Sequence, residues 1–199
     1  MKEFAKHIVS RARKSKPYVK WLAEQTAGIV RKRGLKAGFN YLWTITFSIE
    51  DGVGLLYPLW SKKPWLVRYP GRIEIEVTTK CFLKCLKCEQ VYWNEPQKSL
   101  TAAQVEKVLD EFPRLKAISL SGIGHNYQNP EYEKILKLCC DRSLYVQFFD
   151  TFLLLSPSKA KNLVDWGVTK VWMSIDGVDE KTVSVQQQGS GFKKVVNNA

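Results

Sequence analysis

Arg72-Ile73-Glu74-Ile75-Glu76-Val77-Thr78 runs directly into Thr79-Lys80-Cys81-Phe82-Leu83-Lys84-Cys85-Leu86-Lys87-Cys88. The first seven residues alternate charged and apolar side chains, a period of two that reads as a β-strand with one face on a core. The other face is charged, which suits the first strand at the open side of a sheet. Three cysteines then fall on one tight loop, spaced C-x3-C-x2-C, with no fourth cysteine nearby.

Downstream of this loop the chain alternates strand and helix. Ser99-Leu100-Thr101 opens a helix to about Phe112, with Thr101 as N-cap, Val105, Val108, Leu109 and Phe112 at helical spacing, and Pro113 as its stop. Leu115 to Leu120 is the second strand, and the turn Ser121-Gly122-Ile123-Gly124-His125 follows it. Asn129-Pro130 starts a helix to about Cys140, with Pro130 at its first position. Leu144 to Phe149 is the third strand. Ser156-Pro157 opens a helix to Trp166, with Gly167 as C-cap. Val168 to Ile175 is the fourth strand, and a further segment begins at Glu180. Strand–helix alternation of this kind implies right-handed crossovers and a parallel α/β sheet. Functional loops then lie beyond the C-terminal ends of the strands. The cysteines, residues 121–124, Asp150-Thr151 and Ser174 to Asp176 all occupy such ends and share one mouth.

Five cysteines, three of them within eight residues, do not form a disulfide framework and fit a reducing compartment. A cubane iron–sulfur cluster takes four thiolates, so three leave one iron open to a ligand, which points to chemistry beyond electron transfer. The alternative is zinc held by three cysteines and His125, which belongs to the same mouth. His125 otherwise reads as a loop histidine, or as a group on the substrate or cofactor side of the mouth. Cys139 and Cys140 end a helix, where at least one behaves as a small core hydrophobe.

With 45% hydrophobic residues the chain can build a core. Its net charge of +12 gathers near the start, at Lys2, Lys6, Arg11, Arg13, Lys14, Lys16, Lys20, Arg31, Lys32, Arg33 and Lys36. Residues 1–70 read as a basic, aromatic, mostly helical N-terminal extension, and residues 71–199 as the α/β core. No signal peptide or clear membrane span is visible, because Phe39 to Trp60 is broken by Glu50, Asp51, Gly52, Gly54 and Pro58. The basic residues together with Trp43, Phe47, Tyr57, Trp60 and Trp65 fit a helical lid on the core or contact of residues 1–65 with a membrane surface; nucleic acid is the weaker fit.

Cys81, Cys85 and Cys88 placed directly after a first strand resemble the radical S-adenosylmethionine (radical SAM) enzymes, best the branch of SPASM-type maturases and the molybdopterin cyclase. The resemblance covers residues 72–199. Ser174-Ile175-Asp176-Gly177, Leu154-Leu155-Ser156 and Gly189-Ser190-Gly191-Phe192-Lys193-Lys194-Val195 are similar to runs that this family carries. It implies a partial TIM-like barrel, with about four of the usual six strands visible, in an apparently truncated chain. It also implies a [4Fe–4S] cluster on Cys81, Cys85 and Cys88 and S-adenosylmethionine (SAM) held by Ser121, Gly122, Ile123, Gly124, Asp150, Thr151, Ser174 and Asp176. In the family the reduced cluster cleaves SAM to a 5′-deoxyadenosyl radical, which takes hydrogen from a substrate.

Several positions depart from the family pattern. The family's acidic residue is missing from the turn 121–124, Gln186-Gln187-Gln188 stands where an arginine is common, and Lys87 replaces an aromatic for which Tyr92 or Trp93 would substitute. The implied partners are a small-molecule or peptide substrate and an electron donor such as flavodoxin or ferredoxin. The expected location is the cytoplasm, including its membrane surface. A non-catalytic iron–sulfur or zinc module for binding or electron transfer is the other reading. The substrate is not legible in the residues.

Overall fold

The computed structural model describes residues 16–47, 70–92, 94 and 96–199, with the backbone alone at 16–19, 21 and 44–47. The expectations for residues 1–15 and for Tyr57, Trp60, Trp65 and Trp93 lie outside the described residues.

Four strands form one parallel sheet in the order β1 (Arg72–Ile75), β3 (Ala117–Leu120), β4 (Tyr145–Asp150), β5 (Lys170–Met173). Ile75, Leu120, Phe148 and Val171 stand in one row of the register, and Glu74, Ser119, Gln147 and Lys170 in another. Side chains alternate across a sheet, so the first row and its equivalents face the helices and the second faces away. The helices are α2 (Ala102–Glu111), α3 (Tyr132–Asp141) and α4 (Pro157–Trp166). The core joins Ile118, Leu120, Val146 and Phe148 of the strands to Val105, Leu109, Ile135, Leu136 and Leu163 of the helices. This is the expected α/β architecture of a partial TIM-like barrel. Two short helices, α5 (Glu180–Gln186) and α6 (Phe192–Asn198), follow.

Local signals fix the helix ends. The Thr101 side chain accepts from the Gln104 N–H while the Gln104 side chain accepts from the Thr101 N–H, a reciprocal capping box. Ser156 caps α4, Pro157 occupies its first turn, and Gly167 ends it at φ 75°.

Three boundaries differ from the sequence-based expectation. β1 stops at Ile75 rather than Thr78, because the chain turns to bridge Thr78 with Ser99, and Thr79 N–H donates to Lys98 O at 2.9 Å. α3 begins at Tyr132, not Asn129-Pro130. A short 3-10 turn (Asn126–Gln128) precedes it, and the buried Asn129 acts instead as a clamp. Its Nδ2 donates to Val77 O (2.9 Å) and Leu100 O (2.8 Å), and its Oδ1 accepts from Glu131 N–H (2.9 Å). β5 is confined to Lys170–Met173, because Thr169 already bonds Val146 at the lower end and Ser174 N–H donates to Asp150 O at the upper end.

Helix α1 (Lys16–Phe47), broken at Gly34 (φ 81°), packs on the lower end of the sheet, opposite the cysteine loop. Tyr41 stacks on Tyr145 with ring centroids 5.9 Å apart and touches the small Ala117. Asn40 Nδ2 donates to Ser143 O at 2.8 Å. The Arg33 guanidinium donates to Cys140 O at 3.0 Å and to Gly167 O. Cys140 O, which also accepts from Ser143 N–H at 2.8 Å, ends α3 and Gly167 caps α4, so the negative ends of both helix dipoles meet the cation there. A Cβ on Gly167 would overlap Arg33.

Replacement of Asn129 by alanine leaves Leu100 O without its donor and Glu131 N–H without its acceptor, while Val77 O keeps only the Leu100 N–H. Urea unfolding is expected to show a loss of about 2–4 kcal/mol. An unchanged midpoint would mean that Asn129 does not hold β1 to the start of α2.

Candidate functional site

The cysteine loop is pinned on both flanks. Lys84–Cys85 (β2) pairs antiparallel with Gln187–Gln188 (β6), and Leu86 N–H donates to Gln186 O at 3.0 Å. On the other flank His125 N–H donates to Lys80 O at 2.7 Å. Within the loop Cys88 N–H donates to Cys85 O at 3.1 Å. Cys81, Cys85 and Cys88 are all free and half-buried, and all three line one cavity of about 370 Å³.

Most of the residues expected at the site reach this cavity. Gly122, Ile123, Gly124, Asp150, Thr151, Ser174 and Asp176 line it from three further strand ends. Ser121 does not. Its hydroxyl donates to Glu74 Oε1 at 2.9 Å and bonds Ser119. Lys87 lines the wall, whereas Tyr92 is exposed and stands outside the lining. Cys139 and Cys140 are both buried in α3, away from the loop.

Three features shape the site beyond its expected lining; His125 and Gln187 were already singled out in the sequence, Glu76 was not. The first is Glu76. The turn 121–124 has no acid of its own, but Glu76 of the neighbouring strand reaches it, and its Oε1 accepts from Ile123 N–H at 2.5 Å. The turn lies so close to the first strand's end that a Cβ on Gly124 would overlap Thr78 O.

The second is His125. It is buried, with Nε2 3.0 Å from Thr151 Oγ1, Nδ1 3.9 Å from Asp150 Oδ2, and its ring against Phe82. Burial, helped by the charge of Lys159, pulls its pKa down to about 4, so it is neutral at pH 7. Burial also pushes Asp150 up to about 6, while Asp150 Oδ1 accepts from Phe152 N–H at 2.6 Å. The histidine and carboxylate are therefore not an ion pair at neutral pH. The third is Gln187, which is buried and whose Nε2 donates to Ser174 O at 3.4 Å.

His125 Nδ1, Asp150 Oδ2 and Gln187 Oε1 are buried in this wall without a hydrogen-bond partner. Such groups cost free energy until something pairs with them. A ligand rich in N–H and O–H donors fits that wall, and the amino and ribose groups of SAM are of this kind.

The donor set fits an iron–sulfur cluster in chemistry: three thiols on one loop and no fourth cysteine within reach. Among the described residues no three His, Cys, Asp or Glu side chains are drawn together closely enough to hold a metal ion. Burial raises the Cys81 thiol, and it raises Cys85 to about 11 with help from the negative charges of Cys81, Cys88 and Asp176. A bound cation reverses that balance and favours thiolate, with release of protons.

Asp150 allows a sign to be worked out. A carboxyl raised from 3.8 to about 6 holds its proton more tightly folded than unfolded, so its ionisation destabilises the fold as pH rises between those values. In protein free of bound ligand, Asp150→Asn is expected to gain about 1–3 kcal/mol at pH 7 and nothing at pH 3.5. Urea titrations at the two pH values measure this; an equal effect at both would remove the burial argument.

No protein-family model matches the chain. Over 105 residues the chain is 28% identical to the tungsten-containing aldehyde ferredoxin oxidoreductase cofactor-modifying protein of Pyrococcus furiosus, a span of 51% of this chain and 30% of that protein. Over 114 residues it is 28% identical to the PqqA peptide cyclase of Bradyrhizobium diazoefficiens, 56% of this chain and 30% of the relative. The chain thus aligns with under a third of the length of either relative. The fold is similar to that of Streptococcus suis SuiB bound to S-adenosylmethionine, with a TM-score of 0.60 and 16% identity over 82% of this chain and 45% of SuiB. SuiB bound to its precursor peptide SuiA gives the same TM-score, at 15% identity over 81% of this chain and 34% of that one. A C-x3-C-x2-C loop after the first strand of a parallel sheet, in a fold similar to that of SuiB bound to S-adenosylmethionine, is the arrangement that the resemblance to the radical SAM enzymes implies.

Proposed function

We propose that residues 71–199 are the cluster- and SAM-binding core of a radical SAM maturase that acts on a peptide. The observation that carries this is the single cavity in which three free cysteines face unpartnered buried polar atoms at the C-terminal mouth of a parallel sheet. Cys81, Cys85 and Cys88 would hold a [4Fe–4S] cluster. When bound, the cluster and SAM supply reductive cleavage of a carbon–sulfur bond and abstraction of a hydrogen atom from the substrate.

The chain's own residues would bind and orient. Backbone carbonyls of the turn 122–124, with His125 and Glu76 behind them, offer acceptors to an amino group. Ser174, Asp176, Asp150 and Thr151 offer hydroxyl and carboxylate groups to a ribose. Gln187 joins the wall to the cysteine loop through β6. Leu83, Leu153 and Val195 pack below the loop against Cys81 and Cys85 and keep water from that side.

The peptide substrate rests on two likenesses, to PqqA peptide cyclase and to SuiB bound to its precursor peptide. An electron donor such as flavodoxin or ferredoxin is the other partner this reading requires. Exposed Leu86, Val91 and Tyr92, beside Cys88 and flanked by Lys84 and Lys87, offer it a face.

Protein reconstituted with iron and sulfide without oxygen is expected to be brown, with a paramagnetic signal on reduction that changes when SAM is added. Cys81→Ala, Cys85→Ala and Cys88→Ala should each lose iron and the formation of 5′-deoxyadenosine. Colourless protein holding one zinc that is lost in His125→Ala would establish the zinc module instead.

A further inference from the structure

Beyond the cavity, the strongest unassigned feature is the outer face of α1. The half of this helix after Gly34 turns Ala37, Asn40 and Tyr41 inward onto the sheet. Leu35, Phe39 and Leu42, at helical spacing on the opposite side, are 80%, 55% and 40% exposed. An amphipathic helix should put polar residues outward, and this one puts apolar residues on both sides.

The charges around this stripe are basic. Arg31, Lys32 and Lys36 are exposed, and Lys116 lies 4.6 Å from the centre of the Phe39 ring. The same bias runs through the sequence. Residues 1–70 hold fourteen Lys and Arg against four Asp and Glu, a balance of +10, which leaves +2 of the total +12 for residues 71–199. Trp60 and Trp65 with Lys62 and Lys63 follow in the same segment.

We propose that the outer face of α1 docks on an anionic lipid bilayer, with Leu35, Phe39 and Leu42 in the headgroup–acyl boundary and the surrounding lysines and arginines on anionic headgroups. Cationic charge alone would suit nucleic acid equally well. The exposed aliphatic stripe favours lipid, because nucleic acid offers stacking faces and phosphates rather than an acyl layer. Among the described residues no helix is long and apolar enough to cross a membrane. The stripe lies at the lower end of the strands, opposite the cysteines, and docking there leaves the cavity mouth free. The inference does not depend on the chemistry proposed for that cavity.

The test is sedimentation of the full chain with vesicles of phosphatidylcholine alone and of phosphatidylcholine with 30% phosphatidylglycerol (about 0.15 M salt). Binding to the anionic vesicles only is expected, weakened about tenfold or more by L35D/F39D and by K32E/K36E, but not by K107E/K181E, which makes the same charge change elsewhere. No binding to anionic vesicles, or binding that L35D/F39D leaves intact, would overturn the proposal. So would a dimer of the parent chain that L35D/F39D dissociates. A fall in Tm of more than about 4 °C in L35D/F39D would show the face to be covered within the chain and would equally overturn it.

Discussion

The parallel register of β1, β3 and β4 is the constraint on which the site depends. Ile73, Ile118 and Val146 stand level, as do Ile75, Leu120 and Phe148, and their burial against α2, α3 and α4 holds the three strands in step. A slip of one residue would turn this apolar set outward and bring Glu74, Ser119 and Gln147 against the helices. Because the strands end level, the loops that follow them leave from one edge. That is how cysteines at 81–88, a turn at 122–124, Asp150 and Ser174 come to line a single cavity although they are spread over nearly a hundred residues.

The register brings the loops together, and polar clamps fix their detail. Asn129 ties Val77, at the end of the first strand, to Leu100, just before α2. His125 N–H holds Lys80, one residue before the first cysteine. The β2–β6 ladder holds the second cysteine. Each clamp joins residues between 29 and about a hundred positions apart in the chain, far beyond the reach of the strand period. Local alternation makes Ile73, Ile75 and Val77 readable as a strand face, and cap chemistry makes Thr101, Ser156 and Gly167 readable as helix ends. Nothing local says that Glu76 will supply the carboxylate missing from residues 121–124, or that Gln187 will be buried beside Ser174. The same limit explains the misplaced start of α3. Pro130 suits a first helical turn by its own dihedral angle, but Asn129 is engaged elsewhere and delays the helix to Tyr132.

The cavity wall holds three of the six buried side-chain atoms left unpaired among the described residues, the others being the hydroxyls of Tyr127, Tyr132 and Ser190. Asn126 and Asn129 are buried with every amide donor placed, as folding stability requires. His125, Asp150 and Gln187 are as deeply buried, yet each leaves one polar atom unpaired, and Phe152 beside them takes a left-handed φ of 63° that a non-glycine residue rarely adopts. A protein that satisfies buried amides a few ångströms away has the means to satisfy these too. Their concentration around the three thiols is the pattern of a site organised for something other than its own stability.

The two ends of the sheet therefore do different work. At the upper end, loops carry unpaired polar groups and free thiols. At the lower end, Arg33 of α1 donates to the carbonyls of Cys140 and Gly167, Asn40 donates to Ser143 O just after α3, and Tyr41 covers Tyr145. The lower contacts are those of a foundation: they close the C-termini of α3 and α4 and so steady the strands whose far ends form the cavity. A rigid base matters for a site whose ligands come from four separate loops, because a shift in one strand displaces one wall of the cavity relative to the others. Among the described residues the surface charge follows the same division: Lys20, Arg31, Lys32, Arg33 and Lys36 against Glu24 give α1 at the base a basic excess, so that electrostatic attraction acts on the end that carries no chemistry.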